Sequence, residues 1–287
     1  MNILVFGKTG QLAQELQRQA PPATQVTALG RDAADLSDPE TCAAVVAACD
    51  ADIIINAAAY TAVDRAEEEE ALACVVNGKA PAAMAAAAAA RGIPFLHVSS
   101  DYVFDGSGSR PWRPDDPVAP LGAYGRSKLL GEEGVRAAGG AHAILRTSWV
   151  FSAHGNNFVK TMLRLGAERD ALSIVADQIG GPTPAADIAR TLLIMAEAFF
   201  AGTGSNGTYH YGGSPSISWA GFAREIFQQA GLSVAVTDIP SSAYPTPAAR
   251  PLNSRLDGAT LRTDYGIDPP DWRAGLHIVL KELGQVT

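Results

Sequence analysis

The chain has 287 residues, of which 47% are hydrophobic and 18% charged, and it carries a formal net charge of −8. That length suits one large domain or a domain with a smaller lobe, and the composition is that of a chain that buries a core rather than a disordered one. The acidic balance repels nucleic acid and phosphorylated ligands at long range, so any anionic ligand must be held by local donors.

The opening "MNILVFGKTG" lacks a basic region followed by a long apolar segment and a small-residue cleavage site, so no export signal is expected. No apolar run approaches the ~20 residues needed to cross a bilayer. A cytoplasmic protein with neither a membrane nor a nucleic-acid partner is the expectation. The three cysteines, Cys42, Cys49 and Cys74, are odd in number and lack C-x-x-C spacing. Each falls in an Ala-rich helical pattern and is expected to be a free, buried thiol.

In chain order, short apolar runs alternate with helical patterns: "NILVF", "QVTAL", "ADIIIN", "IPFLHVSS" and "HAILRTS" read as strands. Such alternation predicts a parallel sheet with helices on both faces. Between the third and fourth strands "APAAMAAAAAARG" predicts a scaffold helix, with Pro81 in its first turn and Gly92 at its stop. Past residue 150 the pattern loosens. "ALSIVAD" is followed by a helix near 184–200, the Gly-rich "GTGSNGTYHYGG", a helix over Ser218–Ala230 and the Pro-rich "IPSSAYPTPAARPLNSRLD". The expected fold is α/β: a Rossmann-type, doubly wound parallel sheet over residues 1–150, with a smaller C-terminal lobe over 151–287 that binds substrate. The helix near 184–200 is expected to return to the sheet.

The first strand passes straight into a helix through Gly7 and Gly10, with Ala13 a turn later. Glycine permits a sharp turn and close approach of a ligand, and the helix N-terminus offers free N–H groups and a positive dipole end to a pyrophosphate. The G-x-x-G-x-x-A spacing is not the G-x-G-x-x-G fingerprint, but its place after the first strand of an alternating sheet points to a dinucleotide. Small residues Ala57, Ala58 and Ala59 follow the third strand at the same edge.

In "YGRSKLLGE", Tyr124 and Lys128 lie one helical turn apart on one face. An ammonium beside the phenol would favour phenolate and tune it for proton transfer near neutral pH. Ser100 ends the fourth strand, where its hydroxyl and that of Tyr124 could hold a carbonyl oxygen as charge develops during hydride transfer. Asp101 is either a turn carboxylate or an acceptor for substrate hydroxyls. Trp149, at the end of "AILRTSWV", either covers an apolar sugar face or belongs to the core. Past the second strand, "TALGRD" puts Gly30 and Arg31 where a carboxylate would bind the ribose hydroxyls of NADH. The Arg31 guanidinium suits the 2′-phosphate of NADPH instead.

These segments resemble the extended short-chain dehydrogenase/reductases, and within them the dTDP-4-dehydrorhamnose reductases. The resemblance runs through "MNILVFGKTGQL", "INAAAYTAVDRAE", "SSDYVFDG", "YGRSKLLGE", "LRTSWVF", "GNNFVKTML", "DQIGGPT" and "YPTPAARPLNSRLD". It implies that Gly10, Gln11 and Leu12 contact the cofactor phosphates, that Asp35 and Leu36 flank the adenine, and that Ala59, Tyr60 and Thr61 line the cofactor. Tyr124 and Lys128 would be catalytic, and Ser100, Asp101 and Trp149 would meet a dTDP-sugar. The implied reaction is reduction of the C4 ketone of dTDP-4-dehydro-L-rhamnose to dTDP-L-rhamnose, with NADPH as the expected cofactor and NADH as the second. Ser100 stands where the family usually has threonine. Some relatives form a homodimer linked by Mg²⁺ through acidic residues, of which only Glu15 finds a match, so no metal ligand is assigned. Two related activities share these motifs: a sugar-nucleotide epimerase or dehydratase, and a non-catalytic regulatory subunit of methionine adenosyltransferase.

Overall fold

The computed structural model describes residues 1–286. The first half alternates β1 (Asn2–Phe6), α1 (Gln11–Gln19), β2 (Gln25–Leu29), α2 (Pro39–Ala48), β3 (Ile53–Asn56), α3 (Glu70–Cys74), α4 (Ala80–Ala90), β4 (Phe95–Ser100), α5 (Ala123–Ala137) and β5 (His142–Thr147). All five expected strands form where the apolar runs stand. The remainder comprises β6 (Val150–Phe151), α6 (Phe158–Glu168), β7 (Ala171–Val175), β8 (Ile179–Gly180), β9 (Thr183–Pro184), α7 (Ala185–Phe200), β10 (Gly207–Tyr211), β11 (Ile217–Ser218), α8 (Trp219–Gln229), β12 (Ala235–Ile239), β13 (Asn253–Ser254), α9 (Ala259–Tyr265) and α10 (Trp272–Glu282).

Six strands form one parallel sheet in the order β10-β5-β4-β3-β1-β2. Successive side chains point to opposite faces. Ile3 and Val5 therefore join α1 and α7 in one buried layer, while Leu4 and Phe6 join α2 and α4 in the other. The strand order reverses between β1 and β3, and in open α/β sheets the crevice outside the carboxyl ends at such a point receives the ligand. Beyond the sheet the small strands pair as β11-β8-β13, β12-β7 and β6-β9. They surround a separate apolar cluster built on Phe151, Phe222, Ile226, Trp272 and Leu276.

Three expectations change. The Gly-rich stretch "GTGSNGTYHYGG" is not a loop of the lobe: it holds β10, which pairs with β5 and sends Tyr209 and Tyr211 into the sheet's core. Pro81 stands in the first turn of α4 as expected, but α4 is not a separate helix: helical backbone already runs into it from Glu70 through a π turn at Val75–Lys79. Proline has no N–H to bond residue 77, and the wider π turn absorbs the lost hydrogen bond. The resulting helix, Glu70–Ala90, has a mean hydropathy of 1.3 over its most apolar window and is long and apolar enough to span a bilayer; here it packs between α2 and α5. All three thiols are free, but only Cys42 is buried; Cys49, just past α2, and Cys74 are half-buried.

Candidate active site

The switch point between β1 and β3 opens into a cleft of ≈ 780 Å³ that runs along the carboxyl ends of the sheet. Gly7 leaves β1 with φ +112, a backbone conformation that side-chain-bearing residues rarely adopt, and a Cβ there would stand in ordinary contact with the backbone of Ala57 and Ala58 and with the Ala13 methyl, at 3.4–3.5 Å. The turn thus needs glycine for its backbone angle, and the fully buried Ala13 packs α1 close beside it. Gly10 is the N-cap of α1, and a Cβ there would meet nothing within 4 Å. No acidic residue lies in the first turn. Free N–H groups facing open space at a positive helix end make a cradle that fits a pyrophosphate.

Gly7, Gly10, Gln11 and Leu12 line this end of the cleft, with Ala59 and Thr61 across from them. Tyr60 does not line it: its phenol donates to Glu69 Oε2 at 2.7 Å and its backbone N–H to Asn77 Oδ1 at 2.8 Å. Arg31, Asp35 and Leu36 line the far end. Asp35 accepts the Ser37 N–H at 2.9 Å, which holds its carboxyl below the usual range. Arg31 is exposed. Lys8 was not singled out in the sequence, yet it lines the same end and its chain passes 3.7 Å from the position of a Gly30 Cβ. Its signal was a cation inside the glycine turn itself.

At the centre of the cleft Ser100, Asp101, Tyr124 and Lys128 come together from β4, its exit and α5. Lys128 is 2% exposed and its Nζ donates to the Val98 carbonyl at 2.7 Å. Burial pulls the ammonium down to about 8, opposed by the Glu132 carboxylate one turn on. Glu132 is itself clamped by Arg146 at 2.6 and 2.8 Å and by Arg136 at 2.6 Å. The expected tuning of the phenol by the lysine is absent here. Tyr124 is pushed up to about 12, first by burial and then by the Asp101 charge, with the Ser100 hydroxyl pulling the other way. The lysine, drawn down to about 8, loses its charge before a phenol at about 12 ionises, so it does not offset the burial.

Ser100 donates to Asp101 Oδ1 at 3.0 Å and accepts the Tyr102 N–H at 3.2 Å. The Ser100 hydroxyl thus stands between the Asp101 carboxylate and the Tyr124 phenol, and all three side chains line the cleft. Asp101 is 2% exposed, its Oδ2 has no hydrogen-bond partner, and burial lifts its carboxyl to about 6. Asn77, in the π turn, also escaped the sequence reading. Its buried amide donates to the Tyr60 carbonyl and to Ser127 Oγ, each at 3.0 Å, and Ser127 donates to the Tyr124 carbonyl at 2.7 Å. This chain anchors the first turn of α5, which carries Tyr124.

The lobe supplies the remaining wall. Trp149 lines the cleft and is half-buried, with φ +50, a region that costs a bulky residue about 1–3 kcal/mol and persists only where its surroundings enforce it. The loop after β6 crosses the N-terminus of α1: Ser152 and Asn157 both donate to Gln11 Oε1 at 2.9 Å, and Gly155 and Asn156 line the cleft.

Glu15, the single match to a metal-linking carboxylate, is 1% exposed. Its Oε2 accepts from Arg18 at 2.6 Å and Gln19 at 3.0 Å, and its Oε1 faces His154 Nε2 at 3.1 Å. Among the described residues no three His, Cys, Asp or Glu side chains gather to hold a metal. With both oxygens occupied by donors and a guanidinium beside them, these residues do not fit Mg²⁺.

The family model described as "RmlD substrate binding domain" matches residues 1–285. A dTDP-4-dehydrorhamnose reductase of Burkholderia thailandensis is 46% identical over 295 residues, covering 99% of each chain. A crystal structure of a dTDP-4-dehydrorhamnose reductase from Clostridium acetobutylicum superposes with a TM-score of 0.92 at 36% identity, covering 99% of this chain and 100% of that one. One from Bacillus anthracis, solved in complex with NADP, superposes with a TM-score of 0.91 at 36% identity over 98% and 99%. With the family model matched over residues 1–285 and relatives matched along almost the whole length, the chain belongs to the RmlD, or dTDP-4-dehydrorhamnose reductase, family.

Proposed function

We propose that this protein is an NADPH-dependent reductase that converts the C4 ketone of dTDP-4-dehydro-L-rhamnose to the alcohol of dTDP-L-rhamnose. The observation that carries the reading is the meeting of Ser100, Tyr124 and Lys128 in one cleft with the free N-terminus of α1, in a member of that reductase family. Residues 1–150 hold the cofactor in this reading, and the lobe from 151 onward completes the sugar-nucleotide side.

When bound, NADPH supplies the hydride that reduces the ketone. The N–H groups of Gly10, Gln11 and Leu12 would hold its pyrophosphate, and Lys8 and Arg31 would hold its 2′-phosphate. The B. anthracis relative solved with NADP supports this cofactor; NADH would be the alternative reductant. Tyr124, held neutral by its raised pKa across the working range, donates its proton to the ketone oxygen as that oxygen gains charge. Lys128 keeps a positive charge beneath the site and binds ribose hydroxyls of the cofactor. Ser100 passes its hydrogen bond from Asp101 to the ketone oxygen, and Asp101 then accepts a sugar hydroxyl. Trp149 covers an apolar face of the deoxysugar. The protein taken with NADPH alone and with NADPH plus the keto sugar tests this reading. Cofactor absorbance falls only in the second case; a fall without the sugar, or none with it, counts against it.

A further inference from the structure

Trp149 occupies a backbone conformation that a tryptophan does not choose for itself, so something must hold it. Its backbone is fixed by the Thr183 N–H, which donates to the Trp149 carbonyl at 3.1 Å, and by the preceding Ser148 hydroxyl, which donates to the Gly181 carbonyl at 3.1 Å. Its indole is fixed separately. One face lies on the Trp219 indole, with ring centroids 3.6 Å apart and planes within 12°. Its edge rests where Gly180 has no side chain: a Cβ there would lie 2.8 Å from Trp149 Cε2 and 3.0 Å from Cζ2. Gly180 cannot retreat, because β8 is the central strand between β11 and β13, and the Ser254 Cβ already stands 3.0 Å from the same point. Trp219, the first residue of α8, cannot retreat either, being backed at 4.6 Å by Phe158 of α6.

We propose that Gly180 and Trp219 are positioning residues for sugar-nucleotide selection: together they set how far the Trp149 indole projects into the cleft and hence which sugar it accepts. Neither group is assigned to touch the substrate; each acts through Trp149. A methyl at Gly180 pushes the indole into the space for the deoxysugar, whereas loss of the Trp219 ring lets it fall back. The inference rests on the reading of Trp149 as the residue that covers the sugar.

A double-mutant cycle decides it. KM for the keto sugar, kcat at saturation and the Kd for NADPH are measured for Gly180→Ala, Trp149→Phe and the double variant. Gly180→Ala is expected to raise KM roughly 10-fold, as a mismatch of one methyl in an apolar pocket does, with kcat and NADPH binding little changed. In the Trp149→Phe background the smaller ring leaves room for the methyl, so Gly180→Ala should then add almost nothing. An additive cycle overturns the proposal, since it would mean that Gly180 acts through the lobe and not through Trp149. If Trp149→Phe itself leaves KM unmoved, it is the substrate-contact reading that fails. Trp219→Leu with Trp149→Phe gives the same cycle from another element should Gly180→Ala fail to fold. The stacked indoles also give an exciton couplet in circular dichroism. That signal should vanish in Trp219→Leu and change sharply in Gly180→Ala; an unaltered couplet in Gly180→Ala would show that the indole had not moved.

Discussion

Lys128 Nζ and the Val98 carbonyl oxygen are 2.7 Å apart, so the ammonium at the base of the cleft is held by the backbone of the strand that ends in Ser100. This tie explains why the buried charge survives without a carboxylate touching it. It also separates the two members of the Tyr-x-x-x-Lys pair in the proposed reaction, where the lysine would contribute a fixed charge and a cofactor contact and the tyrosine the proton.

Tyr124→Phe tests the second half of that division. It removes one hydroxyl from a half-buried ring, and the edge-on contact with Tyr102 at 5.3 Å survives. The fold and NADPH affinity should be retained while kcat falls ~10²- to 10⁴-fold, the usual contribution of general acid catalysis. Retention of more than about a tenth of turnover, with chemistry limiting, would remove the assignment.

Burial pulls the Lys128 ammonium from 10.5 down to about 8. Its charge is present below that value and is lost as pH rises through it, so kcat/KM should fall on the alkaline side with an apparent pKa near 8. Binding of NADPH should move this limb upward, since a ligand that needs the ammonium favours the protonated form. A profile that stays flat into the alkaline range would exclude the role.

Asp101 gives a stability prediction. Its carboxyl is lifted from 3.8 to about 6 in the folded state. With the folded value above the unfolded one, the contribution is fully present below 3.8 and is lost as pH rises through about 6. At neutral pH this amounts to about 3 kcal/mol. Asp101→Asn should therefore be more stable than the parent at neutral pH, with the gap closing in acid. Urea midpoints of both proteins across that range check it, and a gap independent of pH contradicts it.

Cofactor choice tests Lys8 and Arg31. Both are exposed, so each phosphate contact is screened and belongs at the lower end of its range, about 1.5 kcal/mol or 10-fold. Arg31→Ala and Lys8→Ala should each lower the ratio of kcat/KM for NADPH over NADH by roughly that factor at low salt, and by less at higher salt. A ratio near one in the parent, or unmoved by either substitution, would sink the assignment.

The parallel sheet was readable because buried parallel strands are continuous apolar runs and the glycine turn sits at the first of them. β10 escaped because Tyr209 and Tyr211 stand among glycines that read as loop, and strands of two residues such as β8 and β13 carry too little pattern to be seen. The cleft was legible almost residue by residue, since Gly10, Arg31, Ser100, Tyr124, Lys128 and Trp149 all line it. What the sequence could not reveal was direction. Nothing in Y-x-x-x-K says that the lysine turns to Val98, nothing in "AYTAVD" says that the Tyr60 ring turns to Glu69, and no local pattern foretells the left-handed backbone of Trp149. These orientations depend on partners distant in the chain.

The central claim is that net hydride passes from an exchangeable cofactor to C4 of the sugar. NADPH deuterated at the transferring position of the nicotinamide C4 should yield dTDP-L-rhamnose with the deuterium at C4, one label for each cofactor oxidised. Recovery of unlabelled product, or an epimerised sugar formed with no net oxidation of the added cofactor, would contradict the account and return the chain to the epimerase class that shares its sheet.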